Sequence, residues 1–242
     1  MKMFKSTSNN VGKRVFRYLH TQTPSRVGVP EFIDGISRDI PSTVVFGGMI
    51  RDFSLGTARS FNSDIDLVSM ADRADILAVI RKHNPVMNKF GGYRFAVGRQ
   101  LFDIWSFQDT WAVREGLVKA DTFEDLCLTT FFNLDGVCQP LTSSKIISAQ
   151  DYFYLAQDRT LDVQLNENPA PEKIASRAIR MLINSTMKAS PQLQLYILKN
   201  ARKDLWRSAL SSSVLRHLAR HQNEHPDLPY AYGMQSELFL KN

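Results

Sequence analysis

Residues 42–68 constrain this chain more than any other stretch. Ser42-Thr-Val-Val-Phe46 is a β-branched run that reads as a short strand, and Gly47-Gly48 ends it with a sharp turn before a helical pattern opens at Met49. Arg51 and Asp52 fall in the first helical turn, and Leu55-Gly56 closes the helix. A second strand follows, Ser63-Asp-Ile-Asp-Leu-Val68. Its period of two sends Asp64 and Asp66 to one face and Ile65 and Leu67 to the other.

Both halves of this segment favour polyanion chemistry. Two carboxylates on one strand face repel each other unless a cation lies between them, and Mg2+ takes carboxylate, water and phosphate oxygens in an octahedral shell. A glycine turn leading into a helix presents bare backbone N–H groups at the positive end of the helix dipole, which suits phosphate. Asp64 and Asp66 are therefore candidate metal ligands, and Gly47 and Gly48 a candidate phosphate cradle. An Asp-Ile-Asp strand whose acids simply face solvent remains the alternative.

Together these residues resemble the head domain of the class II CCA-adding enzyme and bacterial poly(A) polymerase family, within the DNA polymerase β nucleotidyltransferase superfamily. The family pattern is Gly-Gly, two residues, Arg-Asp, two residues, Leu-Gly, then Asp-x-Asp. The chain meets it at Gly47, Gly48, Arg51, Asp52, Leu55, Gly56, Asp64 and Asp66. The resemblance implies an α+β fold, a polymerase β-like palm of mixed sheet flanked by helices, followed by a small α-helical lobe. It also implies nucleotide contacts at Gly47, Gly48, Arg51 and Asp52, and two Mg2+ ions, with Mn2+ as a substitute.

Downstream, Arg94-Phe-Ala-Val97 and Leu101-Phe-Asp-Ile-Trp-Ser-Phe107 read as a hairpin around Gly98, with Asp103 on the strand face of Leu101 and Trp105. In the superfamily a strand of this kind supplies a third acid, either a metal ligand or the base toward the incoming hydroxyl, which makes Asp103 the candidate. Residues 123–133 resemble the family segment that recognises the nucleotide sugar. Asp125 matches, but Phe123 and Glu124 replace the arginines and Thr129 replaces the asparagine, so the sugar preference is left open. Leu126, Leu128, Phe131 and Phe132 are spaced for burial on one helix. Pro171 opens a helix similar to the family's neck helix, with Arg177 and Arg180 on one side of it; the Glu-Asp-x-x-Arg base-selecting motif is missing there.

At 242 residues with 43% hydrophobic side chains, the chain suffices for one generous domain or a core with an appendage. No run approaches the ~20 apolar residues that span a bilayer, and the first thirty residues lack the apolar stretch of a secretory signal. Cys127 and Cys138 lie in apolar contexts, which reads as reduced core thiols in a cytoplasmic protein. Thirty Lys plus Arg against 24 Asp plus Glu fits a protein that meets polyphosphate or nucleic acid. The excess concentrates at the N-terminus and in the tail, at Lys188, Lys199, Arg202, Lys203, Arg207, Arg216 and Arg220.

The expected organisation is a basic N-terminal segment over 1–26, a nucleotidyltransferase palm over 27–165, with a helix from Asp72 to His83, and a helical neck-like lobe over 166–242. His217, His221 and His225 recur every fourth residue, but Pro226 ends any helix there and no fourth zinc ligand accompanies them. The reaction implied is transfer of a nucleotidyl group from an NTP or dNTP to an acceptor hydroxyl, with a tRNA or other nucleic-acid 3′ end as partner. The family's further RNA-docking helices are not evident after the neck, so two other readings stand. One is a defence or toxin enzyme making a nucleotide signal or self-primed oligomer, with Tyr230 or Tyr232 as the primer hydroxyl. The other is a catalytically silent nucleic-acid-binding module.

Overall fold

A computed structural model describes residues 8–58, 61–149 and 151–201. The His217, His221 and His225 series, Tyr230, Tyr232 and the basic residues from Arg202 onward lie outside the described residues. Two compact units make up the chain. The first comprises Met1–Arg159 with Gln164–Glu167, the second Thr160–Val163 with Asn168–Asn242.

The first unit is built on strands β1 (Thr43–Phe46), β2 (Ile65–Ser69), β3 (Val86–Met87), β4 (Tyr93–Val97), β5 (Gln100–Ser106), β6 (Val137–Pro140) and β7 (Ile147–Ser148). They form one mixed sheet in the order β3-β4-β5-β2-β1-β6-β7. Within it β2 and β5 run parallel, and the other neighbouring pairs are antiparallel. The β4–β5 hairpin closes with a two-residue loop between Val97 and Gln100. Gly98 holds its first central position at φ 58°, as a hairpin turn requires.

One sheet face is the main core. Val45, Ile65, Leu67, Phe102 and Ile104 are fully buried, and helices α1 (Ser8–His20), α2 (Val29–Asp39) and α3 (Gly48–Ser54) pack on that side. Phe32 of α2 meets Phe102 and Phe95 at 4.8 and 5.3 Å between ring centres. Gln139 of β6 donates from Nε2 to the Gly12 carbonyl of α1 at 3.2 Å. The N-terminal segment therefore contributes a packed helix, with Val11, Val15 and Leu19 buried at four-residue intervals. Helix α4 (Arg73–Ile80) runs on into a 3-10 turn ending at His83, with Asp72 as its cap.

The opposite face is divided. At one end Val44, Phe46, Val68 and Cys138 form a cluster with Phe107, Ala120, Leu126 and Cys127 under two single-turn helices, α5 (Trp111–Arg114) and α6 (Phe123–Leu126). Cys127 and Cys138 are buried free thiols 3.9 Å apart. At the other end this face carries acids.

The helix expected through 123–133 stops after one turn. The Leu126 carbonyl accepts the Thr129 hydroxyl at 2.7 Å, and the Cys127 carbonyl accepts Gln164 Nε2 at 2.7 Å. Side chains thus take carbonyls that a longer helix would have used, and Leu128 is left exposed. Helix α7 (Tyr152–Asp158) completes the first unit, with the Tyr152 hydroxyl on Ser54 Oγ at 3.4 Å.

In the second unit, β8 (Thr160–Leu161) pairs in parallel with β9 (Lys188–Ala189) beside helices α8 (Pro171–Ser185) and α9 (Pro191–Asn200). This unit is helical as the sequence suggests, with a small sheet besides. Pro171 and Pro191 occupy the first helical turns, where a missing N–H costs nothing. Ser190 caps α9 by accepting the Leu193 N–H at 3.1 Å and donates its own hydroxyl to Asp162.

Candidate active site

The three sequence-identified acids converge because β2 and β5 are parallel neighbours. Asp66 and Asp103 are direct register partners, and Asp64 lies two residues before Asp66 on the same face. Beneath them, Ile65 and Phe102 are buried and pin the register, since a one-residue slip would turn the acids into the core.

A fourth residue, which sequence reasoning missed, joins them. Arg94 is the antiparallel partner of Asp103 on β4. Its Nε donates to Asp103 Oδ1 at 2.8 Å, and its Nη2 donates to Asp103 Oδ2 at 2.6 Å and to Asp64 Oδ2 at 2.5 Å. Hydrogen bonding to Asp103, its charge and those of Asp64 and Asp66 hold the Arg94 guanidinium well above the ordinary arginine range. Its side chain is 54% exposed, so the clamp stands at the mouth of the acid cluster. The signal was present in Tyr93-Arg94-Phe95-Ala96-Val97, whose alternation buries Tyr93, Phe95 and Val97 and turns Arg94 to the face of the acids.

The glycine turn lies at the end of β1, next to β2. Gly47 adopts φ 70°, ψ −117°, a conformation that favours glycine, and its N–H donates to the Val137 carbonyl at 2.8 Å. Gly48 begins α3, and a Cβ placed there would stand 3.5 Å from the Arg51 guanidinium.

Arg51 itself is paired with two carboxylates. It donates from Nη1 to Asp135 Oδ1 at 2.5 Å and from Nε to Asp52 Oδ1 at 3.0 Å. Burial alone would lower its pKa, but the two carboxylates outweigh it and raise the group above its ordinary value. Arg51 and Asp52, expected nucleotide contacts, also brace α3 against the 3-10 turn Asn133–Asp135 through Asp135. Asp135 was not singled out from the sequence, because nothing local marks an acid whose partner lies 84 residues away.

Asp125 also has a structural task. It is the N3 residue of a capping box on α6, where its Oδ2 accepts from the Thr122 hydroxyl at 2.7 Å and from the N–H groups of Asp121 and Thr122. The Thr122 hydroxyl first, then the two amides, hold its carboxyl below the usual range. Arg177 and Arg180 are exposed on α8 in the second unit.

The donor set has the chemistry of a hard-cation site: carboxylate oxygens on one sheet face, with a guanidinium cation already among them. In this arrangement no three acidic, imidazole or thiol groups among the described residues stand close enough to hold a metal. Arg94 instead bridges two of the three acids, Asp64 and Asp103.

A glycine turn entering a helix, a strand with paired acids and a parallel strand with a third acid, all on one mixed sheet, define a nucleotidyltransferase palm fold. Solved structures share it. The apo form I of a CCA-adding enzyme superposes with a TM-score of 0.62 at 14% identity, covering 94% of this chain and 55% of that one. A tRNA nucleotidyltransferase complexed with a primer tRNA and an incoming ATP analog gives 0.54 at 14% identity, covering 80% and 60%. The Bacillus stearothermophilus CCA-adding enzyme in complex with CTP gives 0.53 at 16% identity, covering 74% and 44%. The chain thus resembles the head and neck region of these enzymes and spans about half their length. No family model matches the sequence, and no curated protein does.

Proposed function

We propose that this chain is a template-independent nucleotidyltransferase that moves a nucleotidyl group from an NTP or dNTP to an acceptor hydroxyl, with a nucleic-acid 3′ end as acceptor. The observation that carries this reading is the register pairing of Asp66 with Asp103, with Asp64 beside them and Arg94 holding Asp64 and Asp103 together. A scaffold without chemistry gains nothing from crowding three carboxylates on one sheet face.

In the reaction the acceptor oxygen forms a bond to the α-phosphorus, the bond from that phosphorus to the β-phosphate bridging oxygen breaks, and pyrophosphate leaves. Asp64, Asp66 and Asp103 would hold Mg2+, which supplies Lewis-acid stabilisation of attacking and leaving oxygens when bound. Asp103 then accepts the proton of the acceptor hydroxyl through its carboxylate. Gly47 and Gly48 leave the backbone bare where the leaving phosphates must approach. Arg94, once released from Asp103, supplies a cation to pair with the triphosphate. Exposed Arg177 and Arg180 on α8 are proposed to meet the nucleotide or the acceptor backbone. CCA-adding enzymes and tRNA nucleotidyltransferases as structural neighbours support this class of acceptor.

The test is incubation of the purified full chain with Mg2+ and each labelled NTP and dNTP, with and without total tRNA, resolving products by size and intact mass. Label on tRNA is expected, and Asp66→Ala should lower it at least ~100-fold without loss of folding. Full transfer by Asp66→Ala in a clean preparation overturns the reading. Label in free oligomers or on the protein itself would instead mean a signal-making or self-primed enzyme.

The Arg94 clamp favours one second reading. A guanidinium that permanently neutralises the acids would leave a binding module with no need of metal. Direct titration with Mn2+ separates the two readings, since a silent module binds none at this cluster with or without nucleotide.

A further inference from the structure

The first unit carries a second group of cations that the proposed reaction does not use. Arg14 and Arg17 project from α1, and the loop that follows brings Arg26 beside them. With Tyr18 and Phe53 they surround an open cavity of about 340 Å³. Arg51, Arg73 and Arg94 each hold carboxylates, but among the described residues Arg14, Arg17 and Arg26 hold none. Arg14 donates from Nη1 to the Phe53 carbonyl at 3.2 Å and Arg26 from Nη2 to the Thr21 carbonyl at 3.4 Å, while Arg26 Nε is buried with no hydrogen-bond partner.

Two of these guanidinium groups are laid on rings. Arg26 lies 4.0 Å from the Tyr18 ring centre and Arg14 5.5 Å from that of Phe53. The rings brace one another edge to face: Tyr18 meets Phe53 at 5.5 Å and Phe61 at 5.7 Å, and Phe53 meets Phe61 at 6.1 Å. Stacking fixes the donors before any ligand arrives, so less side-chain entropy is lost on binding. The result is a concave, apolar-walled site with preset, charge-unpaired guanidinium planes.

Such a surface matches a ligand that alternates phosphate with flat aromatic groups, which is the chemistry of single-stranded nucleic acid. Its location adds to the match. Phe61, which braces Tyr18 and Phe53, precedes Asp64 by three residues, and three residues of chain reach at most ~11 Å. The ring that braces the pocket's aromatic wall and the first candidate metal ligand therefore share one short connection.

We propose that this pocket binds a backbone phosphate and a base of the acceptor strand near the end being extended. The proposal rests on reading the chain as a transferase with a nucleic-acid acceptor. It makes the arginines of α1 and the following loop a docking site for the acceptor, separate from the carboxylates.

The test is fluorescence anisotropy on the full chain in chelator without nucleotide. A short labelled single-stranded RNA, a DNA of the same sequence and labelled ATP are compared over a series of salt concentrations. Arg14→Gln/Arg17→Gln/Arg26→Gln is expected to weaken strand binding at least ~10-fold and to flatten the salt dependence by roughly 0.7 for each phosphate that is no longer neutralised. ATP binding should stay as in the wild type, and so should strand binding by a control double variant at exposed Arg38 and Arg81, each changed to Gln. If the triple variant does not fold, Arg17→Gln alone, whose guanidinium has no described protein partner, must still flatten the slope by about 0.7.

Wild-type strand affinity and slope in these variants overturns the proposal, as does equal loss in the control or loss of ATP binding instead. Strand binding that depends on the three arginines in a protein that transfers no nucleotide would leave the pocket standing and sink only the catalytic reading. RNA and DNA bound alike would assign the site to the phosphodiester and base, and RNA alone would add the 2′-hydroxyl.

Discussion

Arg94 and Asp103 face each other across the β4–β5 pair and share two hydrogen bonds, at 2.8 and 2.6 Å, while the same guanidinium reaches Asp64 at 2.5 Å. Two of the three acids are thus held by an internal cation. Arg94→Gln should leave Asp64, Asp66 and Asp103 mutually repelling, which lowers the melting temperature in chelator by a loss of about 1 kcal/mol. Added Mn2+ should restore it and bind more tightly than to wild type, as read by calorimetry or by the paramagnetic signal of free Mn2+. Weaker Mn2+ binding by Arg94→Gln would show instead that the arginine organises the ligands rather than competing for them.

Arg51 and Asp135 are both largely buried, with side chains 13% and 8% exposed. Removing one partner strands the other charge away from water, so Asp135→Ala should cost about 3–5 kcal/mol, measured by denaturant unfolding. Arg51→Lys should recover only part of a comparable loss, because one ammonium does not reproduce the planar contacts to Asp52 and Asp135. Unchanged stability in Asp135→Ala would mean that Arg51 is available to substrate after all.

Gly12 sits where α1 passes closest to the sheet's far end. A Cβ there would collide with the Ser144 carbonyl oxygen. Helix propensity favours alanine over glycine by about 1 kcal/mol, so the sign of Gly12→Ala distinguishes local from tertiary control. We expect net destabilisation of about 1–3 kcal/mol from overpacking in thermal or urea unfolding; a stabilised variant would show that α1 shifts freely.

His83 stacks on Phe95 at 5.7 Å and meets Phe32 edge on at 5.2 Å, with its Nε2 buried and without a partner. Burial first, then the Lys82 charge, hold its pKa below the ordinary histidine value. The folded state therefore binds fewer protons than the unfolded chain, and the contribution of His83 is full above about pH 6.5 and declines as the pH falls below it. His83→Phe should flatten the decline of stability between about pH 6.5 and 5. An identical pH profile in the variant would remove His83 from the account.

Much of the palm was legible because its information is local. The β-branched run, the glycine pair and the alternation of Asp64 to Val68 specify strand, turn, helix and strand within a few residues of one another, and each appears where the sequence places it. The β4–β5 hairpin follows likewise from alternation on either side of Gly98. Helix α1 is likewise written in the spacing of Val11, Val15 and Leu19, with the segment's basic residues between them. Residues 123–133 failed for the opposite reason. Their apolar spacing suits a helix, but hydrogen bonds from Thr129 and the distant Gln164 end it after one turn.

By itself the sequence determined which residue types could do chemistry and on which strand face they stand, because strand alternation is a property of the backbone. Only the tertiary structure decided how those residues are employed. Parallel pairing of β2 with β5 put Asp103 beside Asp66, and the hairpin turned Arg94 onto both Asp103 and Asp64. Burial assigned Arg51 to Asp135, and a capping box took Asp125. Charge pairing and burial depend on neighbours brought from far along the chain, and no local pattern encodes them.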